Sequence, residues 1–420
     1  MTSDRRDRAY VWTWRPGAVE PVVAGLVEAI PAPGGGHVLT FAYGQSYLGR
    51  NDAPALYLPE LPKRRGRQGP GAGLDVHGVI RDAGPDAWGQ RVIMRRLLGR
   101  DVRDRDSTDL SLLTYLLESG SNRPGALDFQ LSADRYLART SAAPIEDLLR
   151  AADELQAGAP IADQLQEALD AGSSVGGARP KATIVDGDRQ LIAKFSALSD
   201  TYPVMKAEAV AMDLARRVGL DVAATELIEV GGRDVLLVER FDRGPGGTRF
   251  QFVSALTILG LHEMFGRHAT YHDLADVIRT RFVRRAATLR ELFGRIVLNI
   301  LVGNTDDHAR NHAAFWDGDR LALTPAYDVC PQLRSGQEQA QTMAINRDGA
   351  RLAQVTTCVA AAPVYELTET EAREIIDHQL AVIHDQWHAA ADQARLTATE
   401  RGALWERQVL NPFATYGYPS

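Results

Sequence analysis

The chain has 420 residues, 45% of them apolar and 24% charged. That balance belongs to a folded protein of two or three domains and excludes a disordered chain. The formal net charge of −7 argues against a general nucleic-acid binder, because phosphate contacts need a surplus of Lys and Arg, and two cysteines, Cys330 and Cys358, are too few for a disulfide framework and point to reduced, partly buried thiols.

The N-terminus, MTSDRRDRAY, is charged and has no apolar core, so no signal peptide is expected. The most apolar run, residues 289–302, is interrupted by Arg290, Glu291 and Arg295 and is too short to cross a bilayer. A cytoplasmic protein without membrane contact is the expectation. From Tyr10 to about Gly49, short apolar runs alternate with turn residues, which predicts a small β-rich unit. Helical periodicity takes over in DAWGQRVIMRRLLGR (residues 86–100) and STDLSLLTYLLESG (residues 107–120), so the N-terminal portion, residues 1–130, reads as α+β.

In a second portion, residues 131–243, the first stretch to weigh is GSSVGGARPKA (residues 172–182). Here Gly176 and Gly177 allow close backbone approach to a phosphate, although the Walker pattern is absent. ATIVDGDRQLIAKF follows as two strands around Asp186-Gly187. In its second strand the side chains alternate, so Lys194 shares a face with Ile192 while Leu191, Ala193 and Phe195 point the other way. The chain has only four lysines, Lys63, Lys181, Lys194 and Lys206, so one in mid-strand calls for a reason. A helix from about Val204 to Val218, stopped by Gly219, carries Glu208 among Val204, Met205, Ala211 and Met212. A carboxylate in an apolar stripe needs a cation, and Lys194 is the natural candidate. Two more strands around Gly231-Gly232 complete a β-β-α-β-β order.

The third portion, residues 244–420, is mostly helical. TLRELFGRIVLNILV predicts a buried helix, with Thr288 and Glu291 as a capping box, that aims the following loop at one place. That loop, VGNTDDHARNHAAFW, sets Asp306 five residues before Asn311, the spacing of the carboxylate and amide in the kinase catalytic loop. A carboxylate there accepts a hydroxyl proton, and an amide oxygen ligates a metal. A hairpin hinged on Asp317-Gly318 comes next, and Asp328 in PAYDVCP then stands where kinases carry their principal Mg²⁺ ligand, followed by Val329 and Cys330 in place of Phe-Gly. A small sheet with one helix, then a helical body with an inserted hairpin, is the layout of a bilobal kinase. The competing zinc-hydrolase reading uses His308 and His312, four apart, but leaves Asp306 and Asn311 without a task. His308 is read as a structural histidine bonded to loop backbone, and His312 as neutral to function.

These residues, in this order, together with VERFDR (residues 238–243), AGPDAWGQRV (residues 83–92) and NRPGALDF (residues 122–129), resemble the HipA family of serine/threonine kinases, the toxin halves of toxin–antitoxin modules. The resemblance implies a bilobal protein-kinase-like α+β fold behind an N-terminal subdomain, ATP and Mg²⁺ as cofactors, and a protein Ser or Thr as acceptor. It implies Asp306 as catalytic residue and Asn311 and Asp328 as metal ligands. ATP would be held by Ser174, Val175, Gly176, Gly177, Lys181, Lys194, Glu208 and His308, with the backbone of Glu239 and Phe241 at the adenine. Ser174, with Ser173 beside it, would be the site of an inactivating autophosphorylation, because a phosphate there repels those of ATP. A helix-turn-helix antitoxin of HipB type would be the partner, and no direct nucleic-acid binding is expected of this chain alone. Many members carry a His-Gln-Glu-Asp segment where this chain reads RFQFVSALTILGL, so the substrate surface differs. The alternatives are a small-molecule kinase of the aminoglycoside or choline type and a non-catalytic regulatory module.

Overall fold

The computed structural model describes residues 7–32, 35–99, 109–140, 143–159, 165–166, 169, 179–334 and 336–419. The chain divides into two compact units. The first comprises Met1–Ser199, Glu229–Val253 and Phe315–Asp319, and the second Asp200–Ile228, Ser254–Ala314 and Arg320–Ser420. Among the described residues no helix is long and apolar enough to cross a membrane.

In the first unit, strands β1 (Arg8–Thr13), β2 (Val22–Pro31), β3 (His37–Tyr43), β4 (Arg67–Gln68) and β5 (Leu127–Gln130) form an antiparallel sheet in the order β4-β3-β2-β1-β5. Alternation buries Ala9 and Val11 of β1 and Leu39 and Phe41 of β3. Gly25 is obligatory in β2, since a Cβ there would lie 2.1 Å from the Ala42 carbonyl oxygen. Helices α1 (Ala87–Leu98) and α2 (Leu112–Glu118) follow the predicted periodicity and are capped by Asp86 and Ser111, whose side chains accept from Gly89 N and Thr114 N. Helix α3 spans Ile145–Ala157.

The motifs NRPGALDF and VERFDR meet in one buried guanidinium cluster. Asp242 accepts from Arg240 Nε (2.9 Å) and Nη2 (2.7 Å), Arg243 Nη1 (2.9 Å) and Gly125 N (2.7 Å). Arg240 and Arg243 also donate to the carbonyls of Asn122, Arg123 and Gly125. Arg123, wholly buried, donates to Asp128 at 2.8 Å and to the carbonyls of Ala83, Leu116 and Ser119. These motifs therefore knit the loop before β5 to the end of the strand at Glu239, and buried charge is tolerated because each guanidinium finds several acceptors.

A second sheet of this unit pairs β6 (Lys181–Asp186) with β7 (Arg189–Phe195) and β7 with β9 (Arg233–Glu239), all antiparallel. β8 (Thr225–Val230), whose first four residues are counted with the second unit, leads into β9 through Gly231 and Gly232, whose φ values of 57° and 79° are those of a tight hairpin turn. In β7, Leu191, Ala193 and Phe195 are buried and Ile192 and Lys194 half-buried, as the alternation predicts.

The second unit is built on helices α4 (Val204–Arg217), α5 (Tyr271–Arg281), α6 (Arg285–Val302), α7 (Glu369–Gln393) and α8 (Ala398–Leu404). Helix α6 is buried on every side from Thr288 onward apart from Arg290 and Glu291. Its Leu, Ile, Val and Phe side chains contribute about 1.5–3 kcal/mol each. The predicted capping box does not form. The helix starts earlier, after Arg284, Thr288 is buried inside it, and Glu291 instead accepts from Arg295 at 2.8 Å. Arg295 is satisfied further by the carbonyls of Asp221 and Thr324. Helix α7 buries Ala372, Ile376, Ile383, Trp387 and Ala391 as a stripe, starts at a Thr368–Glu371 capping box, and is tied to α6 by Gln379 Nε2 donating to the Gly294 carbonyl at 2.9 Å. Strands β10 (Ala313–Trp316) and β11 (Leu321–Leu323) are the predicted hairpin; Phe315–Asp319 of it are counted with the first unit, and Thr324 N donates to the Ala313 carbonyl within the second. Cys330 and Cys358 are buried thiols.

Candidate active site

Helix α6 ends at Gly303, whose φ of 75° makes the left-handed cap that turns the chain into the loop. A Cβ there would meet the Gln408 carbonyl oxygen at 2.6 Å, so glycine is required on two counts. The loop that follows is pinned by its carbonyls. Thr305 O accepts from Thr342 N (3.1 Å) and Oγ1 (2.9 Å), Ala309 O from Leu256 N (3.1 Å), Arg310 O from Tyr327 Oη (2.6 Å) and His312 O from Ala255 N (2.7 Å). A loop held this way presents its side chains without reorganisation.

Asp306 is exposed. Its carboxyl is raised above the usual range, first by partial burial and then by the charges of Asp328 and Asp307, against the opposing pull of His308. Asp328 is half-buried with a φ of 62°, a left-handed conformation that an Asp tolerates but few side chains adopt. Asn311 is 8% exposed and its N–H caps the turn on the His308 carbonyl at 2.8 Å. Asp306, Asn311 and Asp328 thus belong to one unit, and two carboxylates there repel each other.

The histidines correct the expectations for them. His308 contributes its carbonyl to the loop, while its ring Nδ1 has no hydrogen-bond partner, so the predicted ring-to-backbone bond is not made. His312 is not neutral filler. It is 3% exposed, and its Nε2 lies 2.8 Å from Asp307 Oδ2. The same oxygen accepts from Asn299 Nδ2 at 2.7 Å and from Tyr271 Oη, and Asn304 Nδ2 holds Asn299 Oδ1 at 3.0 Å. Burial would raise the Asp307 carboxyl, but the charge and hydrogen bond of His312 and the hydrogen bond of Tyr271 hold it below the usual range. Sequence reasoning missed this network. Its one signal was the apolar helix running into two successive aspartates, of which only one can face solvent.

Among the described residues no group of three or more His, Cys, Asp or Glu side chains is placed to hold a metal ion, so the zinc reading finds no ligand set there. A carboxylate, an amide oxygen and a neighbouring carboxylate suit Mg²⁺, which takes few protein oxygens and completes its shell with water and phosphate. The small cavity behind the loop, lined by Asn299, Asp307, Asn311, His312, Tyr327 and their apolar neighbours, has a volume of about 10 Å³ and holds no more than a water.

In the first unit, Lys181 and Lys194 stand directly opposite each other on β6 and β7. Like charges so placed are destabilising. Lys181 is 3% exposed and donates to Asp86 Oδ2 at 3.0 Å, so its ammonium is bound to a carboxylate in this structure. Glu239 is exposed, with its backbone in register with Leu191, and the Phe241 ring packs edge-on against Phe252 and Phe315. In the second unit Glu208 is 2% exposed on α4. Ser173, Ser174, Val175, Gly176 and Gly177 lie outside the described residues.

Comparison with known proteins gives these features a context. Y4mE of Sinorhizobium fredii is 28% identical over 174 residues, 37% of this chain and 41% of that one. The serine/threonine-protein kinase toxin HipA of Shewanella oneidensis is 27% identical over 201 residues, 41% of this chain and 46% of that one. The chain thus spans about half the length of the curated relatives it matches. A solved structure of Shewanella oneidensis HipA, in complex with HipB and its operator DNA, superposes with a TM-score of 0.67 at 17% identity, covering 95% of this chain and 96% of that chain. The fold is therefore the α+β, kinase-like fold of HipA. Residues 173–387 match the family model of the HipA-like C-terminal domain, and the chain belongs to that family.

Proposed function

We propose that the chain is an ATP- and Mg²⁺-dependent serine/threonine protein kinase of HipA type. The observation that carries this reading is the pair of mutually repelling carboxylates, Asp306 and Asp328, set in one unit with the Asn311 amide on a pinned loop. The repulsion is relieved when a divalent cation is bound. In the proposed roles Asp306 accepts the proton of the attacking hydroxyl, while Asn311 and Asp328 would hold Mg²⁺ through oxygen. The metal supplies charge neutralisation of the phosphates when bound. Lys194 supplies cationic charge to the phosphates, and Lys181, its register partner on β6 and paired with Asp86, is the second lysine of the proposed ATP site. Glu208 and the backbone at Glu239 and Phe241 complete the proposed ATP-binding residues.

The relatives support the finer reading. Since a HipA relative is named a toxin and another structure pairs HipA with HipB and operator DNA, this chain is proposed as the toxin of a toxin–antitoxin module with a HipB-like partner, acting in the cytoplasm on a protein substrate. Ser174, or Ser173 beside it, is the proposed autophosphorylation site that shuts the enzyme off. The test is intact mass after incubation with ATP and Mg²⁺. One added phosphate mapping to Ser173 or Ser174, absent in Asp306→Ala, is expected. Label appearing only in small-molecule acceptors, or none in any acceptor, would overturn the proposal.

A further inference from the structure

The buried carboxylate beside Asp306 has no part in the roles above. We propose that Asp307 is the positioning residue of the catalytic loop, clamping Asp306 and Asn311 at a fixed separation through its bond to His312. The inference rests on the kinase reading for what the clamp achieves, though not for the clamp itself.

The geometry is a ladder with one rung. Asp306 and Asn311 are the functional pair, and Asp307 and His312 are the next residue after each. The Asp307–His312 bond of 2.8 Å therefore joins the two neighbours behind the loop, while Asp306 faces out. Asn299, in the last turn of α6, donates to the same oxygen at 2.7 Å, and Asn304 fixes the amide so that its N–H₂ points at Asp307. Tyr271 donates from α5 and its ring meets His312 edge-on at 5.6 Å. One oxygen thus gathers two helices and the far end of the loop. Leu220, Leu298, Ala326 and Val329 lie around the cavity beside it. Replacing a whole buried ion-pair network by apolar side chains is often no less stable, so stability by itself does not call for a carboxylate here. What the carboxylate adds is direction, since each donor must approach along its own line.

The test compares His312→Gln, which keeps an N–H donor, with His312→Phe, which keeps the ring volume and has no donor, alongside Asp307→Asn. Two readouts run together: the autophosphorylation rate against ATP concentration, and hydrogen–deuterium exchange of the peptide spanning residues 303–313. Expected for His312→Phe and Asp307→Asn are faster loop exchange and a kcat lower by on the order of tenfold to a hundredfold, with KM for ATP little changed. His312→Gln should recover most of that loss. Should Asp307→Asn not fold, the Gln and Phe pair decides alone. Equal loop exchange in wild type, His312→Gln and His312→Phe would overturn the clamp. A wild type that phosphorylates nothing, with a loop that still loosens in the Phe variant alone, would overturn the kinase reading and uphold the clamp.

Discussion

Asp242→Asn removes the centre of the guanidinium cluster in the first unit, and the structure permits its cost to be worked out. The carboxylate receives four hydrogen bonds, two from Arg240, one from Arg243 and one from Gly125 N, at 2.7–2.9 Å. Burial by itself would raise its pKa, but Arg240 and Arg243 hold it far below the usual carboxylate range. Asn keeps one acceptor oxygen and turns an N–H₂ toward a guanidinium donor, so at least one charged hydrogen bond is lost and two buried cations lose their counter-charge. Charged hydrogen bonds contribute about 1.5–3 kcal/mol, and breaking a buried ion pair from one side costs about 3–5 kcal/mol. The expected destabilisation is therefore about 3–5 kcal/mol. Urea unfolding followed by tryptophan fluorescence reads it, because Trp12, Trp14, Trp88 and Trp316 all lie in the first unit. Glu28→Gln is the control. Its pairing with Arg67 at 2.8 Å is between side chains 32% and 55% exposed, so less than about 1 kcal/mol should be lost. Equal, small losses from both variants would refute the claim that buried charge closes this cluster.

Gly303→Ala should lose about 2–4 kcal/mol of stability, combining the left-handed φ with the contact on the Gln408 carbonyl. A melting temperature equal to wild type would argue that the helix cap is not a constraint on the loop. Asp328→Asn should abolish phosphotransfer in a protein that still folds; activity assays paired with thermal melts without Mg²⁺ check this. Burial would raise Asp128, yet the charges of Arg123 and Arg139 hold its carboxyl at about 2. A depressed carboxylate stabilises the fold above its unfolded pKa, so on the order of 2 kcal/mol is present above about pH 4 and lost as the pH falls toward 2. Denaturation midpoints across that window, compared between wild type and Asp128→Asn, should show the flatter profile in the variant.

Much of the fold could be read from one dimension because it depends on local rules. The two-residue alternation of β7, the glycines at 231 and 232 and the apolar run of α6 each act within a few residues, so the strand faces, the tight turn and the buried helix emerge from the residues alone. The Asp306–Asn311 spacing is likewise local, since five residues is the reach of one loop. The capping box at Thr288 failed for the opposite reason, because packing carried the helix back to Arg285 and buried the supposed cap.

What needed three dimensions was the choice of partner for each polar side chain. Asp306 and Asp307 are the same residue type side by side, and only the position of Tyr271, Asn299 and His312 makes one an exposed carboxylate and the other a buried anchor. Likewise no feature of NRPGALDF or VERFDR reveals that Asp242 will meet Gly125, more than a hundred residues away. Periodicity and spacing are short-range quantities that the chain carries along itself. The pairing of buried charge is set by which distant segments converge, and that was decided by folding.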